Sequence, residues 1–423
     1  MAKKPTEENN NKHDHPCCSF CGRSSNIVSM TTSDIDGSCI CSDCAKYITE
    51  STYAMYQEQV ENEAIQRMLD QIPTPVEIKK ELDQYVIGQD DAKKTLAIAA
   101  YNHMKRIIQK SSGVEIEKSN CIVIGNTGCG KTALAKALAR VMNLPYAIVD
   151  ATAFTEAGYV GEDVESMLSR LLAAADYDVE RAQCGVVFID EVDKLSRKSA
   201  GASITRDVNG EGVQQAILKL VEGSKVNVPP YGGRKHPEKP VIEMDTKNIL
   251  FICMGAFDNL EQKVEHRLSS STVGYKTNSN SIVDYDKDNI LKYANQDDLR
   301  SYGMIPELIG RLPIMTYVSP LDTDAMVKIL TEPKNAIIKQ YIKLFDMDGI
   351  NLSFEPAALK LIAEKAVECK TGARALRSIT ETVIKDYMFR MPSEKKKHKK
   401  LVVTADYVKE QLDNAPSLIK KAV

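Results

Sequence analysis

The octapeptide Gly125-Asn126-Thr127-Gly128-Cys129-Gly130-Lys131-Thr132 constrains this chain more than any other stretch. It fits G-x-x-x-x-G-K-[ST], whose glycines let successive backbone N–H groups wrap around phosphate oxygens. The pattern carries meaning only between a strand and a helix, because the helix N-terminus supplies the remaining donors. Both flanks qualify. Cys121 to Ile124 is a short apolar run that reads as a buried strand, and Ala133 to Met142 reads as a helix. Lys131 is expected to place its charge on the β- and γ-phosphates, and Thr132 to offer its hydroxyl to Mg2+. The expected nucleotide contacts therefore run from Gly125 through Ala133.

The following sequence alternates as a parallel sheet requires. Tyr146 to Val149, Gly185 to Ile189 and Ile249 to Cys253 read as further strands. Val164, Met167, Leu168, Leu171, Leu172 and Ala175 fall at helical spacing, as do Val213, Ala216, Ile217, Leu220 and Val221. This predicts an α/β fold of the P-loop NTPase kind, a parallel sheet with helices on both faces. The third strand ends in Asp190-Glu191, two carboxylates at the sheet edge that carries the phosphate loop. Asp190 is expected to hold Mg2+ through water, and Glu191 to polarise the attacking water. A helix N-terminus and Lys131 beside Cys129 would lower that thiol's pKa, the alternative being that Cys129 is a small inert spacer. After Pro320 the pattern is mostly helical, with Leu376, Ile379, Val383, Ile384 and Tyr387 on one face and Leu401 to Val403 as a lone strand. This reads as a separate C-terminal small domain.

Of eleven cysteines, six crowd into Cys17 to Cys44. Cys18-x2-Cys21 and Cys41-x2-Cys44 have the spacing of four-thiolate structural zinc. So small a module has little core, and Zn2+ would help hold it. Cys17 and Cys39 leave the register open, and the set with two x2 pairs is the one chosen. Residues 1–63 hold five Lys or Arg against ten Asp or Glu, a local charge of 5 − 10 = −5. That opposes phosphate-backbone binding and favours a protein-docking module. The polar stretch that follows, interrupted at Pro73 and Pro75, reads as a linker or as an ordinary helix over Tyr56 to Leu69. The expected division is 1–62 for the zinc-binding module and linker, 63–319 for the large ATPase domain and 320–423 for the small domain.

The net charge of −3 gives no bulk drive toward nucleic acid or anionic membrane. No apolar run approaches the roughly 18 residues of a membrane helix, and Met1 to Asn11 has no apolar signal-peptide segment. A reducing, cytoplasmic setting is the expectation.

Taken in order, the four-cysteine module, the phosphate loop, Phe188-Ile-Asp-Glu-Val-Asp-Lys194, Gly310-Arg-Leu-Pro313 and Gly372-Ala-Arg374 resemble the ClpX family of AAA+ unfoldases over essentially the whole chain. The resemblance implies a homohexamer that uses ATP to thread protein substrates, some brought by adaptors, through a central pore into a ClpP-like peptidase. It also implies individual roles. Val86 and Ile87 of Tyr85-Val-Ile-Gly-Gln89 would contact adenine. Tyr159 and Val160 of Gly158-Tyr-Val-Gly161 would grip substrate, with Ser196 to Gly212 as a second pore loop. Arg234, Lys235 and His236 would line the pore entrance. Arg311 would act as the arginine finger on a neighbour's ATP, and Arg374 as the sensor-2 arginine. Val273-Gly274-Tyr275 occupies the place of the peptidase-docking motif, with Tyr where that motif has Phe. Asn126, Cys129 and Met254 also depart from the family's usual residues, and no sensor-1 residue can be named. A stand-alone remodeller, with no peptidase partner, is the alternative. A binding protein with a dead nucleotide fold is opposed by the intact Lys131, Glu191, Arg311 and Arg374. The chain carries no peptidase motif of its own.

Overall fold

The computed structural model describes residues 15–53, 71–109, 114, 116–155, 162–196, 210–229, 241–270, 286–369, 371–393 and 399–414. The chain divides into two compact units, Met1–Gln71 and Ile72–Val423.

In the first unit, β1 (Met30–Thr32) and β2 (Cys39–Cys41) pair antiparallel with Thr31 opposite Ile40. Helix α1 follows at once and is described over residues 42–53. Among the described residues of this unit the buried apolar side chains are Cys18, Cys39 and Cys41, so there the two strands and the helix enclose sulfur rather than a hydrocarbon core.

The second unit opens with α2 (Pro75–Asp83), started by a capping box between Thr74 and Glu77 and by proline at its first turn. Then come α3 (Asp90–Ile108), β3 (Cys121–Ile124), α4 (Lys131–Met142), β4 (Tyr146–Asp150), α5 (Ser166–Ala174), α6 (Val179–Gln183), β5 (Val186–Asp190) and α7 (Glu211–Glu222). A short antiparallel pair, β6 (Lys225–Val228) and β7 (Ile242–Asp245), precedes β8 (Leu250–Gly255). Next are α8 (Leu260–Ser270), α9 (Gln296–Tyr302), α10 (Pro306–Gly310) and β9 (Ile314–Tyr317).

The main sheet runs β4-β5-β8-β3-β9 in space, every pair parallel. Alternate residues of each strand enter different cores. Ile122, Ile124, Val187, Ile189 and Phe251 join one cluster, while Val123, Val186, Phe188, Leu250 and Ile252 join the other. Burial on both faces explains why these strands read as unbroken apolar runs. β3 lies inside the sheet although it comes first, so the phosphate loop leaves the C-terminal edge where the strand order reverses.

The small domain comprises α11 (Thr323–Thr331), α12 (Ile337–Met347), β10 (Ile350–Phe354), α13 (Pro356–Glu368), α14 (Ala373–Arg390), β11 (Lys399–Val403) and α15 (Ala405–Asp413) around its own core. The strand expected to stand alone has a partner. β11 pairs parallel with β10, with Leu401 beside Leu352. Ile350-Asn-Leu-Ser-Phe354 alternates apolar and polar residues, a short strand signal hidden between two helices.

Candidate nucleotide and metal sites

β3 delivers the loop against the backbone of the residues after β9. At Gly125 (φ +151°) a Cβ would lie 2.3 Å from Val318 Cγ2, so no side chain fits. Lys131 begins α4 and is buried, its Nζ donating to the carbonyls of Gly125 and Asn126. Burial lowers its pKa, and Asp190 opposes that shift. Thr132 Oγ1 donates to Asp190 Oδ2 at 2.8 Å, and Asp190 Oδ1 accepts the Glu191 amide at 3.0 Å. Glu191 leaves the strand in the left-handed region, φ 57°. That conformation costs a non-glycine residue about 1–2 kcal/mol. Such strain persists where surrounding structure imposes it, commonly at functional sites.

These groups share one solvent-open cavity of about 370 Å3, which also receives Arg374 from α14. The structure therefore brings Lys131, Thr132, Asp190, Glu191 and Arg374 together, although Arg374 is about 240 residues from the loop. Glycines make the close approach possible. A Cβ on Gly128 would lie 2.2 Å from the Thr371 carbonyl oxygen, and Ala373 N–H donates to Gly128 O at 3.0 Å. The arrangement can surround a polyphosphate with a lysine, an arginine and backbone amides, and set two carboxylates at its terminal end.

Sequence reading gave Asp193 and Lys194 no role, yet both line the cavity. Asp193 is buried, with Oδ1 accepting the Ala256 amide at 3.0 Å and Oδ2 within 3.2 Å of Lys194 Nζ. A third acidic residue two positions after Glu191 was the available signal. Asn126, one of the two unusual residues of the loop, donates to Glu261 Oε1 at 3.3 Å. Met254 does not follow the fourth strand but lies buried within it, since β8 runs to Gly255. The expectation for Cys129 is corrected. Its side chain is buried in the core under α4, and burial raises the thiol's pKa despite the Lys131 charge.

Val86 is buried in the same cluster as Cys129, and Ile87 is half-buried beside it. Their backbone is anchored by Lys93, a buried lysine that donates to Val86 O at 2.6 Å and pairs with Asp83 at 2.7 Å. Arg311 is elsewhere. It lies between α10 and β9, at the N-terminal edge of the sheet, where its Nε pairs with Glu222 Oε1 at 3.1 Å. A second cavity of about 320 Å3 contains it, with none of the phosphate-loop residues in its lining. Tyr159, Val160, Arg234, Lys235, His236, Val273, Gly274 and Tyr275 lie outside the described residues.

In the first unit the Sγ atoms of Cys18, Cys21, Cys41 and Cys44 all lie within 4.8 Å of one another. Tetrahedral thiolates at 2.3 Å from zinc would stand about 3.8 Å apart. Cys21 and Cys41 are 3.7 Å apart. Cys41 N–H donates to Cys18 Sγ at 3.3 Å and Cys44 N–H to Cys41 Sγ at 3.4 Å, while Arg23 Nε lies 3.3 Å from Cys21 Sγ. Donors aimed at sulfur suit thiolates, and the four residues fit a zinc ion. Cys17 points to a backbone carbonyl and Cys39 to Thr32, so the open register resolves to the two x2 pairs.

Residues 116–315 match the AAA domain (Cdc48 subfamily), and residues 321–405 match the C-terminal, D2-small domain of ClpB protein. The chain is thus an ATPase of the AAA class with its small domain attached. It is 57% identical over 401 residues to the ATP-dependent Clp protease ATP-binding subunit ClpX of Bacteroides thetaiotaomicron, covering 94% of this chain and 96% of the relative. It is 54% identical to the ClpX of Porphyromonas gingivalis over 416 residues, 98% of each chain. The chain belongs to the ClpX family.

Proposed function

We propose that this chain is an ATP-driven protein unfoldase that works as a ring of six copies and passes threaded substrates to a ClpP-like peptidase in the cytoplasm. The observation that carries the assembly is the position of Arg311. Its own cavity and the nucleotide cavity lie at opposite edges of one sheet. An arginine that serves ATP from there serves a neighbour's, which makes hydrolysis depend on assembly. Within one subunit, Val86 and Ile87 would seat the base, Gly125 to Ala133 the phosphates, and Thr132 with Asp190 the Mg2+. Glu191 would polarise water, and Arg374 would report nucleotide state to the small domain. Tyr159 and Val160, with Arg234, Lys235 and His236, would engage substrate. Val273-Gly274-Tyr275 would dock the peptidase. Cys18, Cys21, Cys41 and Cys44 would hold zinc, which supplies cross-links in a module whose described residues bury few apolar side chains. The division proposed is 1–62, 63–319 and 320–423.

A mixing experiment tests the assembly. Glu191→Gln and Arg311→Ala should each abolish hydrolysis alone. Mixed, an Arg311→Ala subunit keeps its own Glu191 and can borrow Arg311 from a Glu191→Gln neighbour, so part of the activity returns. A mixture as inactive as its components would rule out a finger supplied in trans. Co-purification with a ClpP-like peptidase in ATP separates this function from that of a stand-alone remodeller.

A further inference from the structure

Gln89 stands immediately before α3 in the left-handed conformation, φ 60° and ψ 38°, yet its side chain does not cap that helix. The residue is 9% exposed, and its side-chain amide reaches across the chain instead. Nε2 donates to Cys129 O at 3.3 Å and to Ser319 O at 2.8 Å, while Oε1 accepts from Ser319 N–H at 2.7 Å. Both amide hydrogens are used, and the paired bonds to Ser319 imitate one peptide group set against another.

The place of these bonds matters. Val318 N–H donates to Ile124 O at 2.8 Å, and Val318 packs against Gly125. The start of the phosphate loop therefore rests on Val318, and its far side, at Cys129, rests through Gln89 on Ser319. These two residues are where the chain leaves the sheet. Pro320, with a fixed φ, and then the small domain follow.

We propose that Gln89 is a positioning residue that carries displacement of the phosphate loop into the hinge of the small domain. It acts through the Cys129 carbonyl and the Ser319 peptide, not by touching nucleotide. When phosphate entry moves the Cys129 carbonyl, the buried amide follows, because parting would leave buried polar groups unsatisfied. The amide is planar, so Oε1 moves with Nε2 and draws Ser319 along. The proposal rests on Gly125–Thr132 being the phosphate site.

Hydrogen exchange on the full chain, with and without a non-hydrolysable ATP analogue, tests it. Two variants are needed. Gln89→Met keeps length but no polar atom. Gln89→Glu can accept from Ser319 N–H but has no proton for the two carbonyls. In the unmutated protein, nucleotide should slow exchange several-fold in peptides from both 125–142 and 321–331. In the variants the first response should persist and the second fall to within about twofold of the nucleotide-free rate, with kcat lowered roughly tenfold and KM changed less than about threefold. Peptide 321–331 contains no hydrogen-bond partner of Gln89, so its change is not simply a missing bond. An unaltered nucleotide response of 321–331 in Gln89→Glu, the variant that keeps a hydrogen bond if Met unfolds the site, overturns the proposal. No response of 125–142 in the unmutated protein would instead remove the phosphate-site reading, and the proposal with it.

Discussion

Replacing Gly372 with alanine would press on the seam between the phosphate loop and α14 from the small-domain side, leaving the loop's own sequence intact. Gly372 has φ 61° and ψ −148°, a region essentially closed to residues with a Cβ. Holding alanine there costs about 1–3 kcal/mol. The new Cβ would also lie 2.8 Å from the Gly128 carbonyl oxygen and 2.9 Å from Gly128 C and Cα. All three are backbone atoms, so no side chain can swing aside. Relief needs a separation of roughly 0.5 Å, which would stretch the 3.0 Å bond from Ala373 N–H to Gly128 O to the edge of hydrogen-bonding range. Losing that bond adds about 0.5–1.5 kcal/mol. The seating of the small domain should weaken by about 1.5–4.5 kcal/mol in all. Arg374, two residues on, would retreat from the cavity by a comparable fraction of an ångström. Misplacement of a charge-stabilising group by about 1 Å can lower turnover 100-fold, so a loss of roughly tenfold is the expected scale here. Steady-state ATP hydrolysis together with urea unfolding reads both effects. A variant with turnover within twofold of the unmutated enzyme and an unchanged unfolding midpoint would refute the reasoning, because the seam would then tolerate a Cβ.

Metal analysis of freshly reduced protein should find one zinc per chain, and Cys18→Ser with Cys41→Ser should abolish it while leaving basal ATP hydrolysis largely intact. Zinc-free unmutated protein would overturn the metal reading. His103, buried with Nε2 3.1 Å from Cys184 O, has its pKa lowered by burial from 6.5 to about 4. Below pH 6.5 the unfolded chain therefore binds a proton that the folded chain refuses until about pH 4, so stability falls through that window, by about 3 kcal/mol in full. His103→Gln should flatten the fall in urea midpoint between pH 7.5 and 5, and an unchanged slope would show that the group is not buried in its neutral form.

Legibility in the sequence followed the length scale of each physical signal. The phosphate loop, Asp190-Glu191 and the cysteine pairs were readable because their chemistry fixes spacing over a few residues. The buried strands were readable because covering both faces leaves unbroken apolar runs. β9 and β10 were not, since Ile314-Met-Thr-Tyr317 and Ile350-Asn-Leu-Ser-Phe354 are too short for periodicity to separate them from their helical surroundings. At Cys129 sequence alone could not decide between a thiolate and an inert spacer, for a different reason. Its local neighbours, a helix start and a lysine, favour a thiolate, but the core that covers it is assembled from α2, α3 and β3 and leaves no mark near position 129. Gln89 shows the same limit, because its partners lie 40 and 230 positions away.

The site's division among several parts of the fold has an energetic consequence. Lys131 Nζ is satisfied by two carbonyls of its own loop. A phosphate that takes this lysine must replace those bonds, and it does so by offering the ammonium an anionic oxygen in place of neutral carbonyls. Binding is therefore favourable but spends part of its energy rearranging the loop. The loop has few free ways to rearrange. Gly125 is pinned by Val318, Cys129 by Gln89, and Gly128 by Thr371 to Ala373, so three braces lead from one short segment toward the small domain. A loop on a solvent-exposed rim would dissipate the same rearrangement in its own backbone. Here it is braced at points that belong to, or lead directly to, the other domain. The glycines at the seam thus do more than cradle phosphate: they allow two domains to meet backbone to backbone, with no compliant side chain between them to absorb the movement.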